Sequence, residues 1–221
     1  WFEEHKSLYT VIVSQNRSAK GILEFNGDKF SLIKVDLVFP VLHGKNGEDG
    51  TLQGLFELAG IPIVGCNTLS SALCMNKDKA HKLVSLAGIS VPKSVTFKRS
   101  GKDMALKEIE TSLTYPLFVK PVCSGSSIGI TKVCERQELD VAIELAFEHD
   151  TEVIAEEMVS GFEVGCAILG NDVLTVGRVD EIELSGGFFD YTEKYTLKSS
   201  RIYMPARIDA EAEKRIQNTA V

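Results

Sequence analysis

Residues 35–60 read "VDLVFPVLHGKNGEDGTLQGLFELAG", and few local folds can accommodate that order of residues. An apolar run of strand length ends at His43. A polar loop with Gly44, Gly47 and Gly50 follows, and then Leu52, Leu55, Phe56 and Ala59 recur at helical spacing up to Gly60. A continuous apolar run feeding a helix predicts a buried strand over 36–42, with Gly60 as the helix C-cap. Repeating this unit gives an α/β lobe with a parallel sheet. The loop carries more chemistry than a turn requires. His43 lies where open α/β sheets bind ligands, beyond a strand C-terminus, although a lone histidine also suits a purely structural place. Glu48 and Asp49 precede a helix start, where carboxylates also serve as ordinary dipole partners.

The elements before and after fit this picture. "YTVIVS" predicts a strand, "GILEFNGDKFSLI" a hairpin turning at Asn26-Gly27-Asp28, and "IPIVG" a further short strand. Asn76 can cap a helix with an apolar face of Ala80, Leu83, Val84 and Ala87, closed by Gly88. Beyond it the pattern turns α+β with antiparallel character. Strands are expected at "SVTFK", "PLFVKP" and 130–133, with helices over 104–111 and 138–148. From Glu152 onward come strands at "TEVIAEEM", "FEVGCAIL", "VLTVGRV" and "DEIEL", then a polar loop, 185–200, with the composition of a lid.

Charge and cysteine usage exclude several classes. Lys and Arg total 24 against 31 Asp and Glu, a net charge of -7 with no basic run, which repels a nucleic-acid backbone. Cys66, Cys74, Cys123, Cys134 and Cys166 are odd in number and form no C-x-x-C pair. Reduced thiols in a cytoplasmic protein are therefore expected rather than a disulfide or zinc framework. No apolar run approaches the roughly 18–20 residues of a membrane span. The start, "WFEEHKSLY", and the uncapped helical end, "DAEAEKRIQNTAV", read as a chain cut at both ends.

Three further stretches carry candidate chemistry. In "FVKPVCSGSSIGI", Lys120 ends a strand and Gly125, Ser126, Ser127 and Gly129 form a permissive turn. Free backbone N–H groups, hydroxyls and a lysine suit phosphate oxygens. The spacing is not that of a P-loop, and a plain β-hairpin reads equally well. Lys77 stands in the first turn of a helix, where a cation opposes the dipole, so it either serves an anion or is simply solvated. In "EEMVSGFEVG", Glu156 and Glu157 end a strand and Glu163 opens the next. That arrangement offers backbone groups to an adenine edge and a carboxylate to ribose hydroxyls, or it is a solvated acidic hairpin.

The order of these pieces is more specific than any one of them. With "LHGKNGEDGTLQGLFELAGIPIVG", "SALCMNKDKAHKL", "YPLFVKPVCSGSSIGITKV", "EEMVSGFEVGCAILG" and "GGFFDYTEKYT", the chain resembles the D-alanine–D-alanine ligase family of ATP-grasp enzymes over nearly its whole length. Within that family it is most similar to the vancomycin-resistance branch, particularly the D-alanine–D-serine ligases. The resemblance implies a partial N-terminal parallel α/β lobe over 1–73, a central α+β ATP-grasp subdomain over 74–158 and the start of a C-terminal subdomain over 159–221. It implies ATP and Mg²⁺, D-alanine and D-serine as substrates, a homodimer, and neither nucleic acid nor membrane as partner.

The resemblance also implies roles. Lys77 and Lys120 would hold nucleotide phosphates, and Gly125, Ser126 and Ser127 would close over them, with Ser126 also orienting substrate. Glu156, Glu157, Val159 and Glu163 would surround adenine and ribose. His43 and Glu48 would sit beside the D-amino acid pocket, and Lys194 and Tyr195 would belong to the lid, Tyr195 linked to Ser126 on closure. The family's glutamate for the first D-alanine would lie before Trp1 and its Mg²⁺ ligands beyond Val221, so the 221 residues alone are expected not to turn over. Cys123 stands where many relatives have arginine, and Asn76 replaces a common aspartate. Two alternatives remain open: another ATP-grasp carboxylate–amine ligase, which has no reason to keep "HGKNGEDGTLQG", and a nucleotide-binding piece without turnover.

Overall fold

The computed structural model describes residues 9–184 and 200–221, which form two compact units, one within 1–80 and one within 81–221. In the first unit, β1 (Thr10–Val13), β2 (Gly21–Asn26) and β3 (Lys29–Lys34) make an antiparallel sheet in the order β1-β2-β3. The expected hairpin is present: Asn26 pairs with Lys29 across a turn in which Gly27 has φ 61°. Helix α1 (Thr51–Ala59) ends at Gly60, whose left-handed backbone (φ 68°) returns its N–H to the last turn, as the sequence implied. Phe56, Ala59 and Ile61 form its small core. Helix α2 (Thr68–Met75) follows, with the Asn67 side chain accepting from the Ser70 N–H.

The first unit departs from expectation at 36–42. Val38 and Ile63 form a single parallel bridge, and no strand extends around it. Phe39 and Val41 are 72% and 73% exposed. A buried parallel strand needs neighbours on both sides and cover on both faces, and Pro40 supplies no N–H for a ladder. Helix α3 (Lys77–Leu86) forms where expected, but its apolar positions Leu83 and Val84 are exposed.

The second unit is built on a four-stranded antiparallel sheet, β4-β7-β5-β6, from β4 (Ser94–Lys98), β5 (Leu117–Pro121), β6 (Thr131–Val133) and β7 (Glu152–Glu157). Alternation gives the sheet two unlike faces. Val95, Phe97, Leu117, Val119, Val133, Val153 and Ala155 point into a core closed by α4 (Lys102–Ser112) and α5 (Arg136–Phe147). The α5 stripe of Leu139, Ala142, Ile143 and Ala146 is buried as its spacing requires. On the outside, Glu144 takes Arg99 at 2.5 Å and Lys102 at 2.8 Å, while Asp140 takes Arg136 at 2.9 Å.

The second sheet of this unit has the order β10-β9-β8, from β8 (Glu163–Gly170), β9 (Leu174–Leu184) and β10 (Ser200–Tyr203). The two strands expected over 173–184 are one continuous strand, because nothing in "TVGRVDEIEL" breaks the alternation. Helix α6 (Ala210–Ala220) starts at Asp209, whose carboxylate accepts from the Ala212 N–H, and docks on β9 through Arg178–Glu213 at 2.6 Å.

Candidate functional site

The face of the four-stranded sheet turned away from its helices carries the polar residues. Phe118 lies opposite Lys132 on one side and Glu156 on the other, and Lys120 lies opposite Ile154. The Lys120 ammonium donates to Glu156 Oε1 in a close ion pair, with side chains only 19% and 8% exposed. It also stands 5.2 Å from the centre of the Phe118 ring, within cation–π reach. Glu156 Oε2 is buried and has no hydrogen-bond partner. A buried carboxylate oxygen without a donor is costly, and the Lys120 ion pair on the other oxygen offsets part of that cost.

The same face opens on a cleft of about 780 Å³. That volume suits a nucleotide-sized ligand, since small-molecule sites span roughly 300–1,000 Å³. Its apolar lining includes Phe118, Met158, Val159, Phe162 and Ile182, and its ionisable lining is Lys120, Lys132, Glu163, Glu181, Glu183 and Arg207. Of the residues singled out in the sequence, the cleft brings together Lys120, Val159 and Glu163, with Glu156 paired to Lys120. Glu157 is placed differently. Its Oε1 accepts from the Lys93 N–H at 2.9 Å, which extends the β4–β7 pairing by one residue.

Gly125, Ser126 and Ser127 join β5 to β6, and those two strands do pair as a hairpin. The connection is not a relaxed turn. Ser126 and Ser127 have φ of 51° and 56°, a left-handed backbone costing about 1–2 kcal/mol per non-glycine residue. Strain of this kind is retained where surrounding structure and function demand it. Gly129, at φ 70°, could not carry a side chain, because a Cβ would lie 2.5 Å from the His149 ring. At the loop entrance the Cys123 N–H donates to Asp150 Oδ2 at 2.6 Å.

In the first unit, the acids of the loop after His43 hold its backbone. Glu48 Oε2 accepts from the Gly44 N–H at 2.5 Å. Asp49 accepts from Asn46 at 2.8 Å and from Thr51 at 3.0 Å. Burial acts to raise the Asp49 pKa, but these donations outweigh it and keep the carboxyl below its ordinary range. The Gln53 side chain donates to the Gly47 carbonyl from beneath. His43 and Glu48 are both exposed. Lys77 is the first residue of α3, where the Asn76 side chain accepts from the Lys79 N–H, the cap expected of it. Lys194 and Tyr195 lie outside the described residues.

Among the described residues no three or more His, Cys, Asp or Glu side chains assemble as a metal-holding group. No helix among them is long and apolar enough to cross a membrane. Sequence reasoning passed over Phe118, Lys132, Phe162, Glu181, Glu183 and Arg207. The first was within its reach, since alternation from Lys120 places Phe118 on the same face.

Residues 83–221 match the family described as "D-ala D-ala ligase C-terminus", and residues 3–66 match "D-ala D-ala ligase N-terminus". The chain belongs to the D-Ala–D-Ala ligase family. Its α/β and α+β architecture is that of the ATP-grasp ligases. It is similar to the vancomycin B-type resistance protein VanB of Enterococcus faecalis, 47% identical over 215 residues, 95% of this chain and 61% of that protein. A D-alanine–D-alanine ligase of Caldicellulosiruptor bescii is 44% identical over 94% of this chain and 58% of its own length. Among solved structures, the VanG D-Ala:D-Ser ligase from Enterococcus faecalis has a TM-score of 0.87 and 78% identity, covering 100% of this chain and 63% of that one. The chain thus spans about three-fifths of the length of these relatives.

Proposed function

We propose that this ligase chain belongs to an enzyme that joins D-alanine to a second D-amino acid, D-serine or D-alanine, with ATP, for peptidoglycan precursors that confer vancomycin resistance. The observation that carries this reading is the cleft that brings Lys120, Val159 and Glu163 together, with Lys120 held in place by Glu156. Phe118, Met158, Val159, Phe162 and Ile182 supply an apolar lining against the base, and Glu163 an acceptor for ribose hydroxyls.

In the reaction, a D-alanine carboxylate oxygen attacks the γ-phosphorus and the bond to ADP breaks, leaving an acyl phosphate. The amine of the second amino acid then attacks the carbonyl carbon and phosphate departs. Such chemistry needs positioning and neutralisation of charge rather than a protein nucleophile. Lys120 and Lys77 hold phosphates, the Gly125, Ser126 and Ser127 turn covers them, and Ser126 orients substrate. His43 and Glu48 border the amino acid pocket, and Lys194 and Tyr195 close the site against water, which would hydrolyse the acyl phosphate. Mg²⁺ would supply charge neutralisation at the phosphates in this reading, and among the described residues no group of three or more His, Cys, Asp or Glu side chains assembles to hold it.

D-serine is favoured as acceptor by the 78% identity to a D-Ala:D-Ser ligase. The test uses a version extended to the length of its relatives, supplied with ATP, Mg²⁺, D-alanine, D-serine and D-lactate together. D-alanyl-D-serine with matching ADP release is expected, and a dominant D-lactate product would overturn the assignment. For the 221 residues themselves, titration with a non-hydrolysable ATP analogue is the measurement, and no saturable binding would remove the nucleotide reading.

A further inference from the structure

The β9 wall of the cleft carries Glu181 and Glu183, two residues apart and therefore on one face of the strand. Both engage Arg207. Its Nη2 donates to Glu181 Oε1 at 2.5 Å and to Glu183 Oε1 at 2.7 Å, and its backbone N–H donates to Glu181 Oε2 at 2.9 Å. The guanidinium lies 3.8 Å from the centre of the Tyr203 ring, and the Tyr203 hydroxyl donates to Glu183 Oε2 at 3.1 Å. Glu181 is buried, whereas the Arg207 side chain is about half exposed. The contacts hold both carboxyls below their ordinary range, Arg207 being the first cause in each case.

Charge in the cleft is close to balance, and Lys120 is already paired with Glu156 behind the lining. Lys120, Lys132 and Arg207 face Glu163, Glu181 and Glu183. Without Arg207 the lining holds more carboxylates than cations, a poor surface for a polyphosphate. We propose that Arg207 is a positioning residue for the nucleotide: it neutralises and locks the acidic wall of Glu181 and Glu183 so that the cleft accepts a triphosphate. The inference rests on the nucleotide reading above and adds a residue that touches the ligand only through its field.

The experiment titrates ATP and uncharged adenosine into the wild-type chain and three variants, with circular dichroism as the check on folding. Arg207→Gln should weaken ATP about fivefold and change adenosine less than about twofold. Adding Glu183→Gln to that variant should bring ATP back to within about twofold of wild type. Arg207→Lys, which keeps the charge but not the fork of donors, should retain most of the ATP affinity. Equal losses for ATP and adenosine, or no recovery in the double variant, would make Arg207 a structural pin and overturn the proposal. Wild-type protein binding neither ligand would instead overturn the nucleotide reading, and this inference with it.

Discussion

Lys120 on β5 and Glu156 on β7 form a nearly dry ion pair, and the second oxygen of Glu156 is left without a donor. The pair fixes the Lys120 ammonium, proposed above to hold phosphate, on the face of the cleft. Lys120→Ala leaves an unpaired buried carboxylate, which costs roughly 3–5 kcal/mol. Glu156→Gln added to Lys120→Ala should recover much of that stability in urea unfolding. Affinity for an ATP analogue should fall more than about tenfold in both variants. Recovered affinity in the double variant would show that Lys120 serves the fold and not the nucleotide.

The strained Ser126-Ser127 turn is kept in place from its two ends. At one, the Asp150 carboxylate accepts from the Cys123 N–H at 2.6 Å and from the Thr151 N–H at 2.6 Å. Asp150→Ala should cost roughly 1.5–3 kcal/mol, as for a hydrogen bond to a charged group. Amide exchange read by mass spectrometry should quicken over residues 122–130 while the β4–β7 core stays protected. Unchanged exchange there would show that the turn is held by other contacts.

At the other end, Gly129→Ala meets two obstacles, a φ of 70° and a Cβ placed 2.5 Å from His149 and 2.8 Å from Pro121. A loss of about 1–3 kcal/mol is expected, with weaker binding of the ATP analogue. Thermal unfolding at the wild-type midpoint would contradict the close approach.

Acid titration should report the outer ion-pair network. The Glu144 carboxyl is held below its ordinary value of 4.5 first by Lys102 and then by Arg99, and Asp140 below 3.8 first by Arg136 and then by Lys102. For carboxyls depressed in the folded state, the contribution is complete above the unfolded values and disappears as pH falls through the folded ones. Urea midpoints measured from about pH 6 to 3 should therefore decline, with a shallower slope in Glu144→Gln. Since Glu144 and Arg99 are half exposed, raising the salt concentration should also flatten the slope. An identical slope in Glu144→Gln would mean that this network does not sense pH.

Local pattern alone determined most of the second unit and parts of the first. Strands β4, β5 and β7, the stripe of α5, the cap at Asn76 and the turn at Gly27 follow from alternation, helical period and turn chemistry, which act within a few residues. Asn67 with Ser70 three residues on also marks the start of α2, and the reading overlooked it. The apolar run at 36–42 misled because burial belongs to a strand's neighbours and not to the strand itself. The local roles of Glu48 and Asp49 had no signal in sequence beyond a helix start, and tertiary structure gives both of them backbone amides to hold. The meeting of Arg207 with Glu181 and Glu183 had no signal in sequence at all. It arises because β10 pairs antiparallel with β9, so that residues 24 and 26 positions apart share one cleft wall. A charge in a linear sequence has no partner until the sheet brings one to it.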